Sequence, residues 1–135
     1  MTLAATLDGL KAAMAAAMPT RVVTRDFKPH DQHQASDLLK GVVTLLSMGE
    51  GNYSPVLGRQ GQNGNLRVML VGLLKVAENA PTSAIEDAEF ALVEEIKAFC
   101  NAPPAGVAFL LQSFSQSGQM EHPYGWISVD AEVLM

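Results

Sequence analysis

Charged side chains are scarce in this sequence. Asp, Glu, Lys and Arg make up 17% of the 135 residues, whereas apolar residues make up 48%. An average soluble domain carries roughly 25% charged residues. Few charges are therefore left to cover the surface, and we expect part of that surface to be buried against another chain. A somewhat apolar monomer is the alternative.

The basic residues are also few, and there is a single cysteine. The net charge is −5, and the nine Lys and Arg residues are scattered along the chain. A protein that grips nucleic acid through its phosphates is usually basic, so we expect no tight nucleic-acid binding. Cys100 is the one cysteine, which excludes an internal disulfide or a cysteine zinc site. A single cysteine favours a reducing compartment, and we expect its thiol to be packed in the interior.

Long apolar runs are absent as well. No run reaches the ~18 residues of a membrane helix. The first twenty residues lack a basic start, and Asp8 and Lys11 interrupt them, so they do not resemble a signal peptide. We expect a soluble protein made in the cytoplasm.

The hydrophobic pattern predicts one domain over residues 1–135. Apolar residues at helical spacing predict a first helix that ends before Pro19. A second helix begins near Ser83, which forms a capping box with Glu86. A helical turn is expected over residues 35–40. Strands are predicted over residues 20–27, 41–48, 66–76, 106–114 and 124–135.

The resulting order is α-β-β-β-α-β-β. It fits an α+β fold in which two main helices pack on a mainly antiparallel five-stranded sheet. The apolar face of the second helix is expected to carry Ile85, Ala88, Leu92, Ile96 and Phe99. Its acidic residues, Glu86, Asp87, Glu89, Glu94 and Glu95, are interpreted as the first turn and the solvated face.

The third strand is apolar on both faces, which bears on function. One face carries Leu66, Val68, Leu70, Leu74 and Val76, and the other carries Met69, Val71 and Leu73, with Arg67 and Lys75 near its ends. Two helices can cover one face of such a sheet but hardly both. We therefore expect a neighbouring subunit to cover the second face, unless the helices divide between the two faces.

The stretch from residue 49 to 65 is predicted to be a long polar loop. Its glycines precede a strand instead of opening a helix, so a phosphate-binding loop is disfavoured. We interpret it as an arm that orders on a partner. The candidate interface consists of polar and aromatic residues of this arm and of the apolar row that follows: Tyr53, Arg59, Gln60, Gln62, Asn63, Arg67, Met69, Val71 and Leu73.

No pattern of catalytic residues is visible. His30 and His33 are spaced as metal ligands could be, but their segment is flanked by proline and weakly helical, so loop histidines are favoured. Cys100 has no histidine placed beside it by the sequence, and no nucleophile elbow occurs. We expect no enzyme activity, no cofactor and no metal.

As an arrangement, the chain resembles the tail terminator family of long-tailed bacteriophages, the minor tail protein U type. The resemblance rests on the stretches LAATLDGLKAAM, GVVTLLSM before the long loop, LRVMLVGLLKV, SAIEDAEFALVEEIKAF and PYGWISVDAEVLM. It implies a structural subunit that forms a ring, usually of six, on the head-proximal end of the tail tube. Such a ring stops tube growth, binds the head–tail connector and lets DNA pass.

Two alternatives stay open at this point. The first is another small tail or head–tail joining protein, since no single motif separates these from a terminator. The second is a small enzyme or ligand-binding domain whose loop at residues 49–65 closes over a small molecule.

Overall fold

A five-stranded sheet with helices packed on it organises the chain. The computed structural model describes residues 2–51 and 64–134. In chain order the elements are α1 (Leu3–Ala17), β1 (Val22–Thr24), a 3₁₀ turn (His30–Gln32), α2 (Ala35–Lys40), β2 (Val42–Gly51), β3 (Asn65–Lys75), α3 (Ser83–Asn101), β4 (Ala108–Gln116) and β5 (Tyr124–Leu134). The predicted α+β class is confirmed, as are the helical turn at residues 35–40 and the five strands.

The sheet is mixed. Its strand order is β1-β2-β3-β5-β4, and β2–β3, β3–β5 and β5–β4 are antiparallel pairs. β1 instead runs parallel to β2, because the chain returns through the 3₁₀ turn and α2 before it enters β2. The expectation of a mainly antiparallel sheet therefore has one exception, at the edge formed by β1.

One face of the sheet, here called the core face, is covered by α1 and α3. Alternating residues of β3 and β5 point into this core, including Leu70 of β3 and Val129 of β5. Leu10 and Met14 of α1 pack on one side, and α3 contributes residues at helical spacing. The alternation predicted for β5 is confirmed, because Ile127, Val129, Ala131 and Val133 are all buried.

The opposite face, here called the outer face, is only partly covered. Leu38 of the short helix α2 packs on Val42 of β2 and Leu73 of β3, and these three side chains are buried. α2 ends at Gly41, whose φ of 89° lets the chain turn directly into β2. The expectation that the helices leave the whole second face uncovered is therefore wrong at this end, since α2 covers it.

The start of α3 also differs from its prediction. Thr82, not Ser83, occupies the N-cap position, and it makes no side-chain capping bond. The carbonyl groups of Pro81 and Thr82 already accept from the N–H groups of Ala84 and Ile85 at 3.0 and 3.1 Å. A turn that precedes the helix thus runs into its first residues, and the Ser83 capping box does not form.

Candidate functional site: the outer face and the sheet edges

The second half of the predicted interface forms one row along β3. Arg67, Met69, Val71 and Leu73 alternate with core residues and lie on the outer face. Arg67 is exposed, Met69 and Val71 are half-buried, and Leu73 is only 4% exposed because α2 covers it. Leu73 is therefore not available to a partner, and this part of the prediction is wrong.

The other predicted contact residues cannot be placed on this surface. Tyr53, Arg59, Gln60, Gln62 and Asn63 lie outside the described residues. β2, the strand that precedes them, is longer than predicted, because it continues to Gly51. Residues 49–51 therefore belong to a strand and not to the loop.

A shallow depression of about 380 Å³ lies on the open part of the outer face. Its rims and floor come from β2, β3, β5 and β4, namely Met48, Arg67, Val68, Met69, Gln112, Asp130, Ala131 and Glu132. Arg67 stands directly opposite Glu132 across the β3–β5 pair, and Met69 stands opposite Asp130. The open half of the face therefore combines an apolar centre with acidic groups on β5.

Arg67 contacts β2 at an irregularity in its pairing with β3. Its guanidinium donates to the Met48 carbonyl at 3.2 Å and lies close to Gly49. The register between β2 and β3 shifts between Ser47 and Gly49, as in a β-bulge, and Gly49 has a φ of 101°. A bulge bends its strand and increases the local twist, so the direction of β2 changes at this point.

Two strand edges accompany the open face. β1 pairs with β2 only at residues 42–44, so no described strand pairs with β2 beyond Thr44 on that side. β4 forms the opposite edge of the sheet. Large apolar side chains are exposed at both places, Met48 at 48% and Leu110 at 50%. The sequence could not reveal these edges, because periodicity gives strands but not their neighbours.

Glu89 is the polar group that sequence reasoning missed. It is 1% exposed, against the prediction that it lies on the solvated face of α3. Its carboxyl oxygens accept from the Ser117 hydroxyl, the Gln116 amide and the Trp126 N–H at 2.5, 3.3 and 3.0 Å. All three partners belong to the end of β4, the turn after it and the start of β5. Glu89 therefore ties α3 to the sheet.

Each histidine lies beside a backbone carbonyl group, and the cysteine is buried. The Nε2 atoms of His30, His33 and His122 lie 2.9, 3.0 and 2.8 Å from the backbone carbonyls of Gly125, Lys28 and Ala80. Cys100 is buried, and burial raises the pKa of its thiol to about 11. Across residues 2–51 and 64–134, no group of three or more potential ligand residues is placed to hold a metal ion.

Comparison of the sequence with known families and curated proteins finds no match. Within the described part of the chain, no helix combines the length and the apolar character that a bilayer crossing requires.

Proposed function

We propose that this chain is a structural protein of a phage tail, a ring-forming terminator that caps the tail tube and offers a surface to the head–tail connector. The open half of the outer face is the observation that carries the proposal. There Arg67, Met69 and Val71 form a row beside a shallow depression, next to two strand edges without a described partner. A subunit built to be covered by other subunits needs such a surface.

The charge of the chain supports the same function. The net charge of the chain is −5. A ring through which DNA slides must not hold the phosphates, and acidic groups weaken such contacts. The proposed partners are other copies of the chain, the tail-tube protein and the connector, in the virion and earlier in the host cytoplasm.

Tube capping in vitro tests the proposal. Purified protein is added to polymerising tail-tube protein encoded in the same genome, and tube lengths are measured by electron microscopy. We expect short, uniform tubes with an extra ring at one end. Tubes whose length is unchanged by the protein would contradict the proposal.

A pair of methionine variants makes this test specific for the outer face. Met69→Lys places a charge on the open face, and we expect it to abolish capping while the protein stays folded. Met120→Lys is the matched control, because Met120 is 85% exposed in the turn between β4 and β5. Loss of capping in both variants, or in neither, would remove the open face from the mechanism.

A small-ligand site is the second candidate, and the depression on the outer face supports it. Its volume of about 380 Å³ and its lining by Arg67, Gln112 and Asp130 suit a small polar molecule. A thermal-shift screen with small anionic and cationic metabolites tests this function. A ligand that stabilises the protein but not an Arg67→Ala variant would favour binding over assembly.

A further inference from the structure

We propose that the two open edges of the sheet bind each other between copies of this chain: residues 47–51 of β2 in one copy pair antiparallel with residues 108–111 of β4 in the next. The pairing is head-to-tail, so successive copies generate a ring or a filament. It deepens the function proposed above by naming the contact between neighbouring subunits, and its place in a tail rests on that function.

The backbone of β2 offers free groups along this edge. The Val22 N–H donates to the Gly41 carbonyl, so Gly41 faces the β1 side. Backbone groups in a strand face the same edge at every second residue, and Leu45 and Ser47 therefore face that side too. β1 stops at Thr24, opposite Thr44. In a parallel pair Thr24 bonds to the residues on either side of Thr44, so the Leu45 N–H is used, whereas the Leu45 carbonyl and the backbone groups of Ser47 have no described strand partner.

The backbone of β4 offers the matching groups. The Ser117 N–H donates to the Trp126 carbonyl, so Trp126 faces β4. By the same alternation Glu132 faces β4 as well, and its partner Leu110 faces back toward β5. Phe109 and Leu111 therefore present their N–H and C=O groups outward, where no described strand pairs with them.

The registers place these two sets of groups at the same level. Ser47 pairs with Val68, Val68 with Ala131, and Ala131 with Leu111, so all four lie in one row across the sheet. β2 and β4 also run in opposite directions, because three successive antiparallel pairs separate them. A rotation about an axis along the strands therefore brings Ser47 of one copy opposite Leu111 of the next in an antiparallel pair.

The side chains at the two edges are complementary. Met48 and Leu110 are both exposed apolar side chains; Gly49, the residue after Met48, lies in the same row as Leu110. On the helix-covered side, Lys97 lies over the Phe114 ring beside β4, and Glu50 lies in the row of Phe109. No described residue forms an ion pair with either charge. Edge pairing brings Glu50 of one copy opposite Phe109 of the next, on the side of the sheet that carries Lys97.

The short β1 limits the contact to one half of β4. In the neighbouring copy, β1 covers β2 at residues 42–44. Thr44 lies in the same row across the sheet as Ser115, so β1 occupies the position opposite the second half of β4. The bulge between Leu111 and Ser113 bends β4 at the boundary between the two halves. We therefore expect new strand pairing only between the start of β4 at Ala108 and that bulge.

Cysteine crosslinking between two single variants tests the pairing. Ser47→Cys and Gln112→Cys are both at exposed positions, one on each edge. When the two full-length variants are mixed and oxidised, or treated with a short bismaleimide, we expect a dimer with one copy of each, formed at least about tenfold faster than by random collision. Cys100 is buried with its thiol pKa raised to about 11, so it remains protonated and unreactive near neutral pH.

Controls separate this contact from other modes of association. Ser36→Cys on α2 is the matched exposed serine, and its mixture with Gln112→Cys gives the collision rate. A Ser47/Gln112 double cysteine variant is expected to give a ladder of oligomers. Mixed crosslinking no faster than the Ser36 control would overturn the proposal. So would Gln112→Cys crosslinking fastest with itself, since that indicates β4 paired with β4.

Charge reversal gives an independent readout. Glu50→Lys and Lys97→Glu should each weaken self-association in light scattering, because each places like charges on the same side of the new contact. Mixing the two variants, or combining both changes in one chain, restores opposite charges and should restore association. Failure of both rescues would count against the Glu50–Lys97 contact. Crosslinking without tube capping would retain the edge contact and reject the tail function. Tube capping by a protein that does not crosslink, either free in solution or on tubes, would retain the tail function and reject the edge contact.

Discussion

The buried carboxyl group of Glu89 accepts a hydrogen bond from the Ser117 hydroxyl at 2.5 Å and thereby joins α3 to the turn that follows β4. The same oxygen accepts from the Trp126 N–H at 3.0 Å. One side chain thus satisfies polar groups at the end of one strand and the start of the next. Since β4 is an edge strand, this link helps to hold the edge in place beside β5.

Replacement of Glu89 should be strongly destabilising. Glu89→Leu leaves the Trp126 N–H and the Ser117 hydroxyl without their acceptor, and we expect a loss of about 3 kcal/mol in unfolding free energy. Ser117→Ala removes one bond to a carboxyl group and should cost about 1–2 kcal/mol. Urea denaturation at neutral pH measures both. Glu94→Leu, on the exposed side of α3, is the control and should change stability by less than about 0.5 kcal/mol.

The position of Glu89 was within reach of the sequence, whereas the sheet edges were not. Ile85, Leu92 and Ile96 define the buried face of α3, and residue 89 lies on that face by helical spacing. We assigned it to the solvated face because glutamate is rarely buried without partners. Those partners, Gln116 and Ser117, are distant in sequence, and no local pattern predicts them.

The outer face shows the same limit of local patterns. The alternation in β3 correctly separates Arg67, Met69 and Val71 from the core residues between them. It gives no sign that α2 packs on Leu73, because a six-residue helix has too few turns to show a clear apolar face. The strand order depends on contacts between distant segments, so β4 could be predicted as a strand but not as an edge.

A glycine in β5 should be intolerant of a methyl group. A Cβ at Gly125 would lie 2.6 Å from Ile85 Cγ2 and 2.7 Å from Glu89 Oε2. We expect Gly125→Ala to cost about 1–3 kcal/mol through overpacking. Gly9→Ala is the matched control: apart from its own helical backbone and chain neighbours, no atom of residues 2–51 and 64–134 lies within 4 Å of its Cβ position in α1, and it should stabilise by roughly 0.5–1 kcal/mol. Chemical denaturation compares them, and equal effects of the two changes would contradict the packing argument.

Metal ions should leave the protein unchanged. His30 Nε2 lies 2.9 Å from the Gly125 carbonyl and His33 Nε2 lies 3.0 Å from the Lys28 carbonyl, and since a carbonyl only accepts, that nitrogen is the donor in each ring. We expect zinc, nickel or a chelator to shift the melting temperature by less than about 1 °C. A shift of several degrees, abolished by His33→Ala, would revive the metal hypothesis.

Removal of a buried hydroxyl from β2 should increase stability. Thr44 is 0% exposed, and its Oγ1 has no hydrogen-bond partner among the described residues. Thr44→Val keeps the branched shape and removes the desolvated hydroxyl, so we expect a gain of about 1 kcal/mol in urea denaturation. Thr24 is the matched comparison, because it stands directly opposite Thr44 and its Oγ1 accepts from the Asp26 N–H at 3.0 Å. Thr24→Val should therefore lower stability by about 0.5–1.5 kcal/mol. A loss of stability in Thr44→Val as large as that in Thr24→Val would show that the Thr44 hydroxyl has a partner in solution.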